Sequence, residues 1–240
     1  MSNTIVELVV HPLCPFAQRA LYTAAFKSVP AQIIHVSLAN PEVWFLELNP
    51  LGEVPSCKVT RDGQVFKLTE SLNISEYFDS FPGPNLYPRL DDGKIDPVAK
   101  CIIDVFIKLK VGRFISAFYS TYSSSFTEEE ITEIRSSIKE IAGFVEGGNY
   151  IMHKLLGKNE LTFADLMILP HVERFYAYKD TLTSVLEEVD CSSIWAWYEK
   201  LAAEPWAQAH KVPVAQLVNA RKLSMTDSFK GLDLPLSLYE

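Results

Sequence analysis

Ile5-Val6-Glu7-Leu8-Val9-Val10-His11-Pro12-Leu13-Cys14-Pro15-Phe16-Ala17-Gln18-Arg19-Ala20 decides how this chain is read. The β-rich apolar run over residues 4–10 predicts a buried strand, which His11-Pro12 closes. A helix is expected from Pro15, because proline at the first helical position gives up only a donor that has no intrahelical partner. Cys14 therefore falls at a helix N-terminus. The macrodipole and the free N–H groups of a first turn favour a negative sulfur, and thiols so placed fall from a pKa of about 8.5 to roughly 3.5–7.5. The bland alternative is a buried apolar cysteine in a strand-to-helix corner. A dithiol oxidoreductase needs a second cysteine three residues on, and that position is Ala17, so Cys14 depends on an external thiol.

Working outward, the helix carries Phe16, Ala17, Ala20, Leu21, Ala24 and Ala25 on one face against Gln18, Arg19, Tyr22 and Lys27, and breaks near Ser28-Val29-Pro30. Residues 31–37 read as a second strand, completing a β-α-β unit whose two strands run parallel. A short helical or irregular segment over 41–48 leads into Asn49-Pro50-Leu51-Gly52-Glu53-Val54-Pro55, a tightly turned loop in which the Pro55 bond is a candidate for cis. Two β-rich runs, 56–60 and 64–68, flank Arg61-Asp62-Gly63 and predict a hairpin. Thr69-Glu70-Ser71 opens a helix with Leu72, Ile74, Tyr77, Phe78 and Phe81 as its buried positions. Its first turn offers N–H groups and hydroxyls that either hold an anionic ligand group or act as plain N-caps.

Pro82-Gly83-Pro84-Asn85-Leu86-Tyr87-Pro88 is the best linker, and beyond it everything reads as helical. One long helix is expected from Asp96-Pro97 to about Tyr122, with Cys101, Ile102, Val105, Phe106 and Leu109 on its apolar face. Another starts at Thr127. The aromatic cluster Phe114, Phe118, Tyr119, Tyr122 and Phe126 suits a core, or the wall of a pocket. Thr162 and Asp165 form a capping-box variant before the apolar run Leu166-Met167-Ile168-Leu169, which gives Asp165 a folding role. A helix over 192–203, a break at Glu204-Pro205-Trp206, a helical piece to about Leu223 and an irregular tail complete the chain. The fold class is thus an α/β N-terminal half, β-α-β-α-β-β-α, followed by an all-α half, with domains at 1–82 and 96–240 and a linker at 83–95.

Composition excludes several classes. At 240 residues with net charge −8 and scattered basic residues, the chain lacks the footprint of a nucleic-acid or anionic-membrane binder. No apolar run reaches the ~18 residues of a spanning helix, and no basic-plus-apolar leader is present, so a cytoplasmic location is expected. Cys14, Cys57, Cys101 and Cys191 form no C-x-x-C, and the five histidines show no i, i+4 pair, so neither a disulfide framework nor a metal site is expected.

Cys14-Pro15-Phe16-Ala17, the Asn49–Pro55 segment, Glu70-Ser71 before a helix, and Thr162-Phe163-Ala164-Asp165 in a helical second half resemble a cytosolic glutathione transferase of the omega class. Thiol-dependent reductases and dehydroascorbate reductases are relatives of that class. The resemblance implies a thioredoxin-like first domain that binds glutathione as co-substrate, and an all-α second domain. It assigns Cys14 to a mixed disulfide with glutathione, Val54 to a backbone pairing with the tripeptide, Pro55 to a cis-proline, and Glu70 and Ser71 to the γ-glutamyl end. Phe16 borders the second-substrate pocket, to which Phe118 and Arg174 are also assigned. The implied partners are a small electrophile or disulfide and a second copy of the chain in a homodimer. The implied activity is glutathione-dependent thiol transfer, including reduction of dehydroascorbate, mixed disulfides or small electrophiles such as glutathionylated ketones. The alternative is a non-catalytic or regulatory binding protein on the same fold. Two departures stand out: Ala39-Asn40-Pro41 occupies the place where the omega pattern often has a lysine, and the hairpin between Pro55 and Glu70 is a few residues longer.

Overall fold

In a computed structural model, which describes residues 4–122 and 125–225, the first elements are β1 (Thr4–Val10), α1 (Pro15–Phe26), β2 (Ala31–His35) and α2 (Val43–Leu48). They are followed by β3 (Ser56–Arg61), β4 (Gln64–Leu68) and α3 (Ser71–Asp79). The sheet order is β2-β1-β3-β4, with β1 parallel to β2 and antiparallel to β3. The element order β-α-β-α-β-β-α and the parallel β1–β2 pair are those expected from the sequence. The β3–β4 hairpin turns at Asp62 and Gly63, whose φ angles of 52° and 83° both lie in the left-handed region, as a two-residue hairpin turn of this hand requires.

Val6, Leu8, Cys57 and Val59 from the sheet, Ala17, Ala20 and Leu21 from α1, and Ile74 and Phe78 from α3 form one core. Burying each large apolar side chain contributes roughly 1.5–3 kcal/mol. Leu72, expected inside, is 37% exposed; Ile74 and Phe78 carry the packing of α3. The expected polar face of α1 does not exist as a solvated face. Gln18, Arg19, Tyr22 and Lys27 are all buried, each with a partner. Gln18 donates to the Tyr22 hydroxyl at 2.6 Å and to the His210 carbonyl at 3.0 Å. Lys27 meets Asp79 at 3.3 Å, a pair almost wholly withdrawn from water.

The chain divides into two compact units, Met1–Pro84 with Trp206–Glu240, and Asn85–Pro205. Where the sequence reading runs the helical domain on to residue 240, the described residues from Trp206 to Met225 group with the first unit. The Trp206 ring sits edge-on to Tyr22 and Phe26 at 5.6 and 5.8 Å. The expected tail beyond residue 225 lies outside the described residues.

The second unit is helical. α4 (Pro97–Phe106) continues through a π-turn at Ile107–Val111 into α5 (Gly112–Ser120). The apolar face expected for this helix is corrected: Ile103, Phe106, Ile107 and Val111 are buried, while Cys101, Val105 and Leu109 are exposed. The sequence there is apolar on two faces, so periodicity cannot choose between them. After α6 (Glu128–Val145) and the short α7 (His153–Leu156) comes α8 (Phe163–Tyr178), then α9 (Thr183–Leu186) and α10 (Ser192–Ala202). The chain ends its described part with α11 (Pro205–Gln208) and α12 (Val214–Ser224). α8 is buried along nearly its whole length, as its composition requires. Asp165, fully buried, accepts from Thr162 N and Oγ1 at 2.9 and 2.8 Å, Ile151 N at 3.0 Å and Trp197 Nε1 at 3.1 Å. Burial raises its pKa, and these four donors oppose the rise. No helix among the described residues is long and apolar enough to cross a membrane.

Candidate active site

β1 ends at Val10, and the turn His11–Leu13 delivers Cys14 to the N-cap of α1, with Pro15 in the first turn. The Cys14 sulfur accepts the Ala17 N–H at 3.4 Å and lies 3.6 Å from the Val54 carbonyl oxygen. A cap that accepts from the first turn is the arrangement that stabilises a sulfur anion.

The Asn49–Pro55 loop closes over this cysteine because Asn49, 3% exposed, organises it from inside. Asn49 Nδ2 donates to the Glu53 carbonyl at 3.0 Å and to Ser56 Oγ at 3.1 Å, and its Oδ1 accepts from Leu51 N at 3.1 Å. Gly52 adopts φ 63°, which the tight return of this loop requires. The Val54–Pro55 peptide is cis.

α3 begins beside the loop. Its N-cap, Glu70, has φ 70° and makes no side-chain cap, so the plain capping role open to Glu70 from the sequence is not taken. A non-glycine residue in such a conformation stores strain of order 1–3 kcal/mol, which clusters at ligand-binding turns. Ser71 Oγ accepts from Arg19 Nη1 at 3.2 Å.

Cys14, Phe16, Val54, Pro55, Glu70 and Ser71, all six named from the sequence for the first domain, line one pocket of about 400 Å³ together with Asn49. Phe118 and Arg174 belong to the second unit. Phe118 is a core residue, stacked on Tyr178 at 6.2 Å between centroids, and Arg174 is buried with Nη1 on the Pro170 carbonyl at 2.7 Å. The other thiols are chemically distinct. Burial and Glu7 push Cys57 up to about 12, and burial and Asp190 push Cys191 up to about 11, while Cys101 is exposed. Among the described residues, no cluster of three or more His, Cys, Asp or Glu side chains could hold a metal ion.

Residues 13–80 match the family model "Glutathione S-transferase, N-terminal domain". Over 228 residues the chain is 26% identical to glutathione S-transferase omega-1 of Mus musculus, covering 93% of this chain and 87% of that one. The chain thus carries a glutathione S-transferase N-terminal domain and resembles omega glutathione transferases over nearly its whole length. The pyrimidodiazepine synthase of Drosophila melanogaster is 34% identical over 125 residues, half of this chain and 51% of that one. The crystal structure of glutathione transferase Omega 1C from Trametes versicolor superposes with TM-score 0.76 at 18% identity, covering 94% of this chain and 98% of that one. In this omega-like chain Asn49, which lines the pocket, escaped the sequence reading as functional and was quoted only as part of a loop, and Arg19, which donates to Ser71 from behind the pocket wall, was placed on a solvated helix face. A buried-loop role for Asn49 is signalled by its place between a helix end and two prolines, where an amide side chain substitutes for missing backbone partners.

Proposed function

We propose that this protein is a glutathione-dependent thiol transferase and reductase working through a mixed disulfide between Cys14 and glutathione. The observation that carries this reading is the meeting of Cys14, at the N-cap of α1, with Val54, Glu70 and Ser71 in one pocket. The residues present suit the tripeptide. Glu70 offers a carboxylate to the γ-glutamyl amine, Ser71 and the uncapped first turn of α3 offer donors to its carboxylate, and Val54 offers main-chain groups to the cysteinyl residue.

In the first step the Cys14 thiolate attacks the glutathionyl sulfur of a mixed disulfide. The Cys14–glutathione S–S bond forms, the substrate S–S bond breaks, and the substrate leaves as a thiolate that takes a proton. A second glutathione thiolate then attacks the glutathionyl sulfur on Cys14, giving oxidised glutathione and restoring Cys14. Because position 17 is alanine, no resolving thiol stands in the first turn and the external thiol completes the cycle. Dehydroascorbate reduction fits the same balance, two glutathione molecules supplying two electrons. Phe16, which lines the Cys14 pocket, belongs to this proposal as a border of the second-substrate site. A homodimer and a cytoplasmic location belong to it as well.

Incubation with oxidised glutathione followed by mass spectrometry is expected to give one glutathionyl adduct, on Cys14, together with glutathione-dependent reduction of a mixed disulfide or of dehydroascorbate. No adduct and no turnover above a Cys14→Ser control would overturn the reading. An adduct without turnover would favour a binding protein instead.

A further inference from the structure

Arg19 leaves α1 on the side where α3 begins and is only 4% exposed. Its Nη1 donates to Ser71 Oγ at 3.2 Å, and its guanidinium carbon lies 5.0 Å from the centre of the Phe16 ring. Ser71 and Phe16 both line the pocket that holds Cys14, whereas Arg19 does not. The buried cation thus stands behind the pocket wall and touches two of its residues.

A serine hydroxyl has one proton and two acceptor positions, while a guanidinium has donors only. Facing Arg19, the Ser71 oxygen is compelled to accept. Its own proton is thereby directed away from Arg19, and among the described residues no acceptor takes it. Ser71 is also the first residue of α3, a nine-residue helix whose N-terminus has no side-chain cap. A fixed hydroxyl donor, free first-turn N–H groups and a cation behind them suit a carboxylate. Glu70, the next residue in the pocket, suits an ammonium. Together the two accept a free α-amino acid end.

We infer that Arg19 is a positioning residue: by forcing Ser71 Oγ to accept, it turns the hydroxyl into a dedicated donor and so sets the preference for a ligand with a free γ-glutamyl carboxylate. This rests on the glutathione reading above. Arg19 itself does not contact the ligand. Its packing on Phe16 keeps the guanidinium plane fixed, a role that a lysine ammonium fills only in part.

The test compares two ligands by calorimetry on the reduced full-length chain: glutathione, and 4-aminobutanoyl-cysteinyl-glycine, which keeps the amine but lacks the γ-glutamyl carboxylate. The unaltered protein is expected to favour glutathione by at least about tenfold, as a hydrogen bond to a charged group implies. Arg19→Met and Ser71→Ala are each expected to reduce that preference to about threefold or less, with the double variant no worse than either single one. Arg19→Lys retains an intermediate preference. If Arg19→Met weakens both ligands equally, or keeps the tenfold preference that Ser71→Ala loses, the inference is overturned while the glutathione reading stands. Should the unaltered protein fail to distinguish the two ligands, the glutathione reading fails first. Thermal melts of each variant identify any that does not fold, and Ser71→Thr, which keeps the hydroxyl, is then expected to retain the preference in the presence of Arg19.

Discussion

The Cys14 sulfur accepts the Ala17 N–H at 3.4 Å, so this cysteine caps the helix that follows it. Cys191 also stands at an N-cap, that of α10, but its side chain accepts no N–H there. Cys57 and Cys191 are held protonated by burial and by the nearby carboxylates of Glu7 and Asp190. Iodoacetamide at neutral pH is therefore expected to alkylate Cys14 and the exposed Cys101 and to spare Cys57 and Cys191 until the chain is unfolded. Glutathione should protect Cys14 and leave Cys101 unprotected. Peptide mapping by mass spectrometry reads all four sites in one experiment, and rapid native labelling of Cys57 would contradict the assignment.

Asn49 makes three hydrogen bonds that no shorter side chain replaces. Asn49→Ala leaves the Leu51 N–H and the Glu53 carbonyl short of a partner each. At about 1 kcal/mol per lost bond the expected destabilisation is roughly 2–3 kcal/mol, visible as a lower urea midpoint. Because the same loop carries Val54, glutathione affinity is expected to fall alongside, and Asn49→Asp, which keeps only the acceptor, is expected to fall between.

Asp165 is the counterpart in the second unit. Four donors converge on one fully buried carboxylate, two from Thr162 and one each from Ile151 and Trp197. Asp165→Ala strands several buried donors at once and is expected to cost more than about 3 kcal/mol, enough to leave little folded protein at 37 °C. Asp165→Asn presents an amide where donors converge and is expected to recover only part of the loss. Circular dichroism melts separate the two.

His210 supplies a pH dependence. Burial, and then the nearby His35, hold its pKa below the usual histidine value of 6.5. Below that value the unfolded chain binds the proton more readily than the folded one, so this site's contribution to stability is intact above pH 6.5 and is lost as the pH falls through the depressed folded value. Urea midpoints measured at pH 7.5 and 5.5 are expected to drop toward the acid side, and His210→Gln is expected to flatten that part of the slope.

What the sequence made legible was what nearby residues decide. Asp62-Gly63 announces its turn, Cys14-Pro15 its helix start, and the Thr162–Asp165 pair its cap, because each signal is complete within four residues. What stayed hidden depends on distant partners. Gln18, Arg19, Tyr22 and Lys27 look like a solvated face until His210, Ser71, Trp206 and Asp79 arrive to cover them. The two-faced apolar pattern from Ile102 to Leu109 led the sequence reading to the side with Cys101, Val105 and Leu109, which is exposed, for the same reason. The strained turn at Glu70 has no sequence signal, since a glutamate before a helix ordinarily adopts an extended conformation.

The return of Trp206 to α1 has a consequence for biosynthesis. The surface of the helix capped by Cys14 is not covered until the chain has added the 121 residues that separate Pro84 from Trp206. At about 5–20 residues per second that takes roughly 6–24 s of translation. During that interval Tyr22 and Phe26 emerge without their indole partner, and the first unit to be made is the last to be finished.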